Sequence, residues 1–415
     1  MECNQEHLHN NQLPNEWEKD NFINNVTMEN FKSGESLNCV NSFVNVEKLD
    51  INSSSKVKGR LRENISFWES IGANNWVLKI IRVGYSLPFI DMPKQVTLAN
   101  HNSALGASNF VSKEIEKLLL SGALVEVKEQ EVTVCSPLGV VYNRSGKHRL
   151  ILDLRYVNKH LRSCKFKYED IRTATTLFTQ GDWFFKFDYT SGYHHIEIFP
   201  PHTTFLGCSW KVNGSQNFFK FTVFPFGLST GPYVFSKIQR VLVKHWRGKG
   251  IRIFTYLDDG AGAESSKEEA QKTSMLVQHD VAQSGFVAHN DKCQWEPCQS
   301  GELLGFIMDL QSGTFSVPPK RVEHLRRVLQ EITVQEFITS ARNLSRLTGL
   351  LVSMGLALGP VVRLRTRGLY RQSSNPYFGI LYLQFQTRPR GKFSFGQRTL
   401  IIVVTPYGLP VQKPK

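Results

Sequence analysis

Three carboxylates carry the chemistry that this sequence could perform. Asp258 and Asp259 adjoin at the end of an apolar run, residues 251–257 (IRIFTYL), and Asp188 ends another, residues 183–187 (WFFKF). Adjacent carboxylates on a turn repel each other and lose solvation unless something positive neutralises them. A divalent cation meets that need, and hard oxygen ligands suit Mg²⁺, which keeps its waters and recruits phosphate oxygens. The ordinary alternative is a solvated Asp-Asp tip on a surface hairpin. The two readings part on whether the fold brings Asp188 to the same spot. With the two strands as neighbours, three acids converge and fit two Mg²⁺ ions ~3.5–4 Å apart. That arrangement activates a 3′-hydroxyl and stabilises leaving pyrophosphate in phosphoryl transfer.

The elements that must position these acids follow a mixed order, which reads as α+β. Residues 251–257 alternate and then meet Gly260-Ala261-Gly262, which predicts a strand entering a tight hairpin that turns at those glycines. Upstream, residues 112–120 (SKEIEKLLL) start an amphipathic helix that Gly122 ends, and residues 124–127 predict a strand. Residues 138–142 and 148–154 are two more strand-like runs, joined by Asn143-Arg144-Ser145-Gly146-Lys147. A basic turn is commonly just a solvated loop. With Arg149 emerging beside it, the turn can also clamp phosphate, because guanidinium binds phosphate oxygens as a fork. Residues 218–223 predict a strand, and a helix opens near Pro232 with Val234, Phe235, Ile238, Val241 and Leu242 on one face. Ser265 and Ser266 with Glu268 and Glu269 form overlapping capping boxes for a helix that stops at Gly285. Lys292 follows in a short turn, and residues 303–307 predict a last strand. Two helical patterns close the readable part, 320–331 and 334–354, the second opened by Thr333 and Glu336.

A net charge of +14 and a pI of 9.4 point to a polyanionic partner, nucleic acid first. Much of that excess is terminal, since residues 337–415 hold 12 Arg and Lys and no Asp or Glu. Seven scattered cysteines suggest no disulfide framework, and His289, Cys293 and Cys298 lack an evident fourth partner for zinc. No run approaches the ~20 apolar residues that span a bilayer. The expectation is a soluble, intracellular chain in the cytoplasm or nucleus, with no membrane partner. Residues 1–57 contain 12 Asn and few periodic apolar positions, and read as a flexible tail.

Taken in order, the motifs resemble a reverse transcriptase. Asp188 with Gly192-Tyr193, residues 224–232 (FPFGLSTGP), Tyr256-Leu257-Asp258-Asp259, Lys292 and Leu304-Gly305-Phe306 follow the order of the palm of such enzymes. Lys147-His148-Arg149 through Asp153-Leu154-Arg155-Tyr156-Val157-Asn158 is similar to their fingers. The resemblance implies a right-hand polymerase fold with fingers and palm over 111–317 and helical thumb and connection over 318–374. Before these come the tail 1–57 and a helical leader, 58–110; after them, 375–415 is a divergent basic tail. Residues 57–89 and 341–370 also resemble DIRS-like, tyrosine-recombinase retrotransposon polyproteins.

The resemblance also implies roles. Asp188 and Asp258 would hold two Mg²⁺ ions, with Mn²⁺ as a substitute, Asp259 completing the acidic cluster and the Tyr189 carbonyl assisting. Arg149 would grip the incoming deoxynucleoside triphosphate. Tyr193 would be the steric gate against a ribose 2′-OH, and Phe226 and Gly227 would line the nucleotide pocket, with Phe226 where retroviral enzymes carry Gln. Lys292 would sit near the pyrophosphate as a general acid, and Leu304-Gly305 would be the primer grip. Implied partners are an RNA or DNA template with its primer. Ribonuclease H needs its own acidic cluster, yet no acid follows Glu336, and from about residue 375 the family pattern stops. The expectation is a copy truncated before ribonuclease H. The rival from another class is a catalytically inactive, nucleic-acid-binding remnant of such a polyprotein.

Overall fold

The structure is a computed structural model. It describes residues 56–142, 146, 148–164, 166–212, 214–334, 340–360, 362–364 and 366–367, and the backbone of 381–387 and 398–404. The tail 1–55, most of the turn 143–147, Glu336 and most of 375–415 lie outside the described residues.

Alternation of large apolar residues builds the central sheet. Its four antiparallel strands lie in the order Gln294–Cys298, Trp183–Asp188, Asp259–Glu264, Arg252–Tyr256. Phe185, Phe187 and Ile253 share one core with Ile238, Leu242 and Trp246 of the helix Gly231–Gly248 and Val277 and Val281 of the helix Lys267–Gln283. Phe184, Phe254, Ala261 and Ala263 share another with Leu303, Phe306 and Phe315. Period-two patterning thus covers both faces of the sheet.

Two expectations about turns need correction here. The Asp258 hairpin does not turn at its glycines: Leu257 and Asp258 make the turn, Leu257 at φ 53°, and Gly260 and Gly262 lie inside the next strand. The reason is packing across the sheet. A Cβ on Gly260 would fall inside the Phe187 ring, and one on Gly262 would lie 2.6 Å from the Phe185 ring. Likewise, residues 303–307 are not one strand. Strands Ser300–Leu303 and Phe306–Asp309 pair around a two-residue turn, with Leu304 at φ 46° and Gly305 at φ 75°. Positive φ at both turn residues matches the twist of a tight hairpin.

The segment before the sheet is part of its core. Helices Arg60–Glu63, Ile65–Ser70 and Asn75–Val83 precede it, the last capped by Asn74, whose side chain accepts from Val77 N. Trp68 is completely buried, its ring edge-on to Phe286 and its Nε1 donating to Ser284 O at 2.9 Å. A five-stranded mixed sheet follows, in the order Val96–Thr97, Val134–Cys135, Gly207–Val212, Ser215–Phe221, Leu124–Val127. The helix Ser108–Leu120 runs across residue 110. The hairpin Leu138–Tyr142 with His148–Leu152 forms a separate two-stranded sheet.

At the carboxyl-terminal end, helices Pro319–Val334 and Ala341–Ser353 bury Leu325, Val328, Ile332, Leu344, Leu347 and Leu351 between them. The second helix is capped by Ser340, whose side chain accepts from Asn343 N, while Thr333 falls within the first helix. The earlier capping expectation fails because the apolar stripe of the first helix extends to Ile332 and carries the helix past Thr333. Among the described residues, no helix is long and apolar enough to cross a membrane.

Candidate active site

Strand register brings the three carboxylates together. Asp188 ends one central strand and lies directly opposite Asp259, which begins the next; Asp258 is one residue earlier, in the turn. The backbone of this corner is tied down from several sides. Tyr189 N donates to Asp258 O at 3.1 Å, Thr190 N to Val287 O at 2.8 Å, and His289 N to Asp188 O at 2.8 Å. Cys293 contributes a thiol that accepts from Asp188 N at 3.3 Å and donates to Asp188 O at 3.4 Å. Gly192 closes over the turn: a Cβ there would run into Asp258 Oδ1 and come within 3.0 Å of its Cγ.

The electrostatics of this corner are those of a site short of positive charge. Burial first, then the charges of Asp188 and Asp259, pushes the Asp258 carboxyl up to about 6. Burial and Asp188 push Asp259 up to about 6 as well, against the pull of Lys292 and Lys186. Lys292 Nζ sits 3.0 Å from Asp188 Oδ1, so an ammonium already lies against the cluster. Asp258 Oδ1 is buried and has no hydrogen-bond partner among the described residues. An unpartnered buried carboxylate oxygen beside two more acids fits a divalent cation. Among the described residues, no three His, Cys, Asp or Glu side chains form a ready-made metal cage. Mg²⁺ takes one or two carboxylates and completes its octahedron with water and substrate phosphates.

Beside the acids lies an aromatic pocket. The short helical turn Gly192–His195 buries Tyr193, whose ring meets Phe226 at 5.2 Å, Phe235 at 5.3 Å and Phe224 at 6.5 Å between centroids. Burial raises the Tyr193 phenol well above the usual range, so it stays neutral. Phe226 is 53% exposed, which is unusual for so large an apolar ring at the edge of a core. Gly227 follows at φ 104°, and its carbonyl accepts from Asn158 Nδ2 at 2.9 Å. Asn158 Oδ1 in turn accepts from Ser229 N. A Cβ on Gly227 would come within 3.1 Å of Leu152 O, so this loop packs against the end of the hairpin that carries Arg149. A continuous path of contacts therefore runs from Asp258 through Gly192, Tyr193, Phe226 and Gly227 to Leu152. Arg149 is exposed on that hairpin, opposite Val141.

Of the residues expected from sequence, Asp188, Asp258, Asp259 and Lys292 form one cluster, and the Tyr189 backbone joins it. The Tyr189 ring turns away into the core, stacked 4.6 Å from Phe286. Leu304 and Gly305 sit at the tip of a separate hairpin, linked to the central sheet where Lys186 Nζ donates to Glu302 O at 2.6 Å. Sequence reasoning missed Lys186 and His195, and weighed Cys293 only as a zinc ligand. His195 is buried; its Nδ1 donates to Gly192 O at 3.1 Å and its Nε2 accepts from Val287 N at 3.0 Å. It therefore ties the Gly192–Tyr193 loop to the segment leading to Lys292. Its place two residues after Tyr193 was the available signal.

Comparison with known proteins bears on the same segment. Residues 141–308 match the family model described as reverse transcriptase (RNA-dependent DNA polymerase). The chain is 27% identical over 203 residues to the retrovirus-related Pol polyprotein from transposon 412 of Drosophila melanogaster, covering 47% of this chain and 16% of that one. It is 24% identical over 205 residues to the Pol polyprotein of equine infectious anemia virus (isolate 1369), covering 45% and 17%. For the transposon Tf2-3 polyprotein of Schizosaccharomyces pombe (strain 972 / ATCC 24843) the figures are 23% over 207 residues, 49% and 15%. The aligned segment is thus less than a fifth of each of these polyproteins. Among solved structures, the foamy viral protease-reverse transcriptase in complex with double-stranded DNA superposes with a TM-score of 0.54 at 18% identity, over 79% of this chain and 57% of that one. The same enzyme with an RNA/DNA hybrid gives 0.54 at 16% identity, over 76% and 42%. The shared fold is the right-hand polymerase. Residues 141–308 are a reverse transcriptase domain, of the RNA-directed DNA polymerase family, such as retrotransposon and retroviral Pol polyproteins carry.

Proposed function

We propose that this chain is an active RNA-directed DNA polymerase that extends a primer 3′-OH with deoxynucleotides along an RNA or DNA template. The observation that carries this reading is the convergence of Asp188, Asp258 and Asp259, with an unpartnered buried oxygen on Asp258. Asp188, Asp258 and the Tyr189 carbonyl would hold two Mg²⁺ or Mn²⁺ ions, with Asp259 adding charge. Bound there, the ions would supply Lewis-acid activation of the 3′-hydroxyl and charge neutralisation on the phosphates.

The remaining work falls to the chain's own groups. The Tyr193 ring, braced by Phe226 and Phe235, occupies the space of a ribose 2′-OH and favours deoxynucleotides. Phe226 and Gly227 form the pocket floor under the nucleotide. Arg149 grips the triphosphate from the hairpin, as a guanidinium fork does. Lys292 leaves Asp188 when the phosphates enter and gives a proton to the leaving pyrophosphate. Leu304-Gly305 holds the primer, and the helices from residue 318 onward, as a thumb, lie along the duplex. The stretches 57–89 and 341–370 favour a DIRS-like retrotransposon as the source, working inside the cell, in cytoplasm or nucleus.

Primer extension on poly(rA)–oligo(dT) with Mg²⁺ and dTTP tests the proposal, beside Asp258→Asn. The expected result is extension by the chain, none by the variant, and primer–template binding within about threefold at matched salt, since binding rests mainly on phosphate contacts. No extension by the chain, with duplex binding retained, would leave a binding module without polymerase activity. Equal loss of binding and extension in the variant would remove the metal assignment.

A further inference from the structure

The Leu304-Gly305 turn does not stand alone. Arg321, in the first turn of the helix Pro319–Val334, donates from Nη1 to Gly305 O at 2.6 Å. Its Nη2 donates to Ser353 O at 3.2 Å and to Ser353 Oγ at 2.8 Å, at the last residue of the helix Ala341–Ser353. The guanidinium also lies over the Phe306 ring, 5.2 Å from its centroid. One planar group thus touches the turn, the strand that leaves it and both helices.

The chemistry of each contact suits arginine in particular. Ser353 O belongs to the last turn of its helix, where carbonyls lack intrahelical donors and carry the negative end of the dipole. Gly305 O is the carbonyl of a turn whose two residues both sit at positive φ. A guanidinium reaches both acceptors at once from a rigid fork, whereas an ammonium is a point charge that satisfies one end. The two helices already form one body through their shared core, and Val317 packs against both that core and the hairpin's. The hairpin is also tied to the central sheet, through Lys186 Nζ to Glu302 O and through the core that Leu303 and Phe306 share with Phe184 and Phe254.

We infer that Arg321 is a positioning residue that locks the Leu304-Gly305 turn to the helix pair 319–353, so that the two meet the duplex as one unit. This rests on the proposed reading of that turn as the primer contact. A duplex held by the helices then fixes where the turn presents the primer end. Arg321 itself touches no reacting atom.

The test uses the full chain, Arg321→Met, Arg321→Lys and Ser353→Ala, with two readouts. In hydrogen exchange, Arg321→Met is expected to speed the amides of 304–306 by about tenfold, because hydrogen bonds from a charged donor are lost there. In primer extension, it is expected to raise the KM for primer–template by about tenfold and that for dTTP by less than about twofold. Arg321→Lys should fall between, and Ser353→Ala, an exposed oxygen, should raise the primer–template KM by about two- to fivefold. Should Arg321→Met fail to fold, Ser353→Ala and Arg321→Lys carry both readouts. Unchanged exchange at 304–306 in folded variants overturns the lock. Faster exchange with an unmoved primer–template KM, in a chain that extends primers, overturns the primer-contact reading and the positioning role with it. A chain that extends no primer overturns the polymerase reading, and the exchange readout then decides the lock by itself.

Discussion

His195 makes the stability of this fold depend on pH in a way that can be worked out in advance. The imidazole is buried, and burial pushes it down to about 3 from its ordinary 6.5. Protonating Nε2 would also cost the bond it accepts from Val287 N. In the unfolded chain the same group takes up a proton below about 6.5, while in the folded chain it stays neutral. The unfolded state therefore binds more protons as pH falls, and stability drops between about 6.5 and 3. At pH 5 the loss is about 1.36 kcal/mol for each of the ~1.5 units below the unfolded value, or ~2 kcal/mol. Any folded value below about 4.5 gives nearly the same loss there, so the result tests burial of a neutral ring. The assay is urea unfolding of the chain and of His195→Gln at pH 7.5 and pH 5. His195→Gln is less stable at pH 7.5, since the Gly192 contact is lost, but it should recover ~2 kcal/mol relative to the parent at pH 5. The difference between the two proteins isolates His195 from the carboxylates and from His194, which titrate in both. A stability gap that stays constant across the two pH values would refute the reasoning.

Packing and pocket contacts give three further expectations. Gly260→Ala should destabilise by ~1–3 kcal/mol through collision with the Phe187 ring, and Phe187→Leu in the same chain should restore at least ~1 kcal/mol of that; strictly additive unfolding energies would contradict the ring-over-glycine account. Trp68→Ala should cost ~3–5 kcal/mol in chemical denaturation because it empties a buried site and strands Ser284 O, and a loss under ~1 kcal/mol would detach the leader from the core. Tyr193→Ala should lower discrimination against a ribonucleoside triphosphate by at least about tenfold in competing extension assays, whereas unchanged sugar preference would remove the gate role.

What the sequence made legible was local chemistry and alternation. The strands ending at Asp188 and preceding Asp258 could be read from their short runs of aromatic and β-branched residues, and the helix Lys267–Gln283 from its Ser266 cap. Register could not be read: nothing in residues 183–188 or 259–264 says that Asp188 lies opposite Asp259 until Phe185 and Phe187 are seen over Gly262 and Gly260. The same glycines misled the turn assignment, because glycine serves equally in a turn and under a neighbouring ring. The strand Gln294–Cys298 escaped notice because it contains Pro297. It is an edge strand with an irregular register, the place in a sheet where proline is tolerated. Leu304 hid a turn in an apolar run, since an apolar residue at positive φ leaves no trace in composition.

These misreadings share a physical cause that bears on the site. The carboxylates are read from residue type, but their positions come from groups with no chemistry of their own. Glycines 260 and 262 admit the rings that set strand spacing, Gly192 makes room for the Asp258 carboxylate, and Cys293 and His289 N take the Asp188 backbone. His195 holds the Tyr193 loop to residue 287. These contacts come from three separate stretches of chain, 192–195, 260–262 and 289–293, and none of the groups is itself one of the acids. A core substitution that lets the sheet relax therefore also loosens the Asp188 corner. A designer seeking a more stable chain should look to the exposed helix faces and leave these small residues alone, because filling space near the acids displaces them. The exposed Phe226 shows the same rule from the other side. Its ring is held by Tyr193 and His194 but left open to solvent, a hydrophobic cost that folding by itself gives no reason to keep.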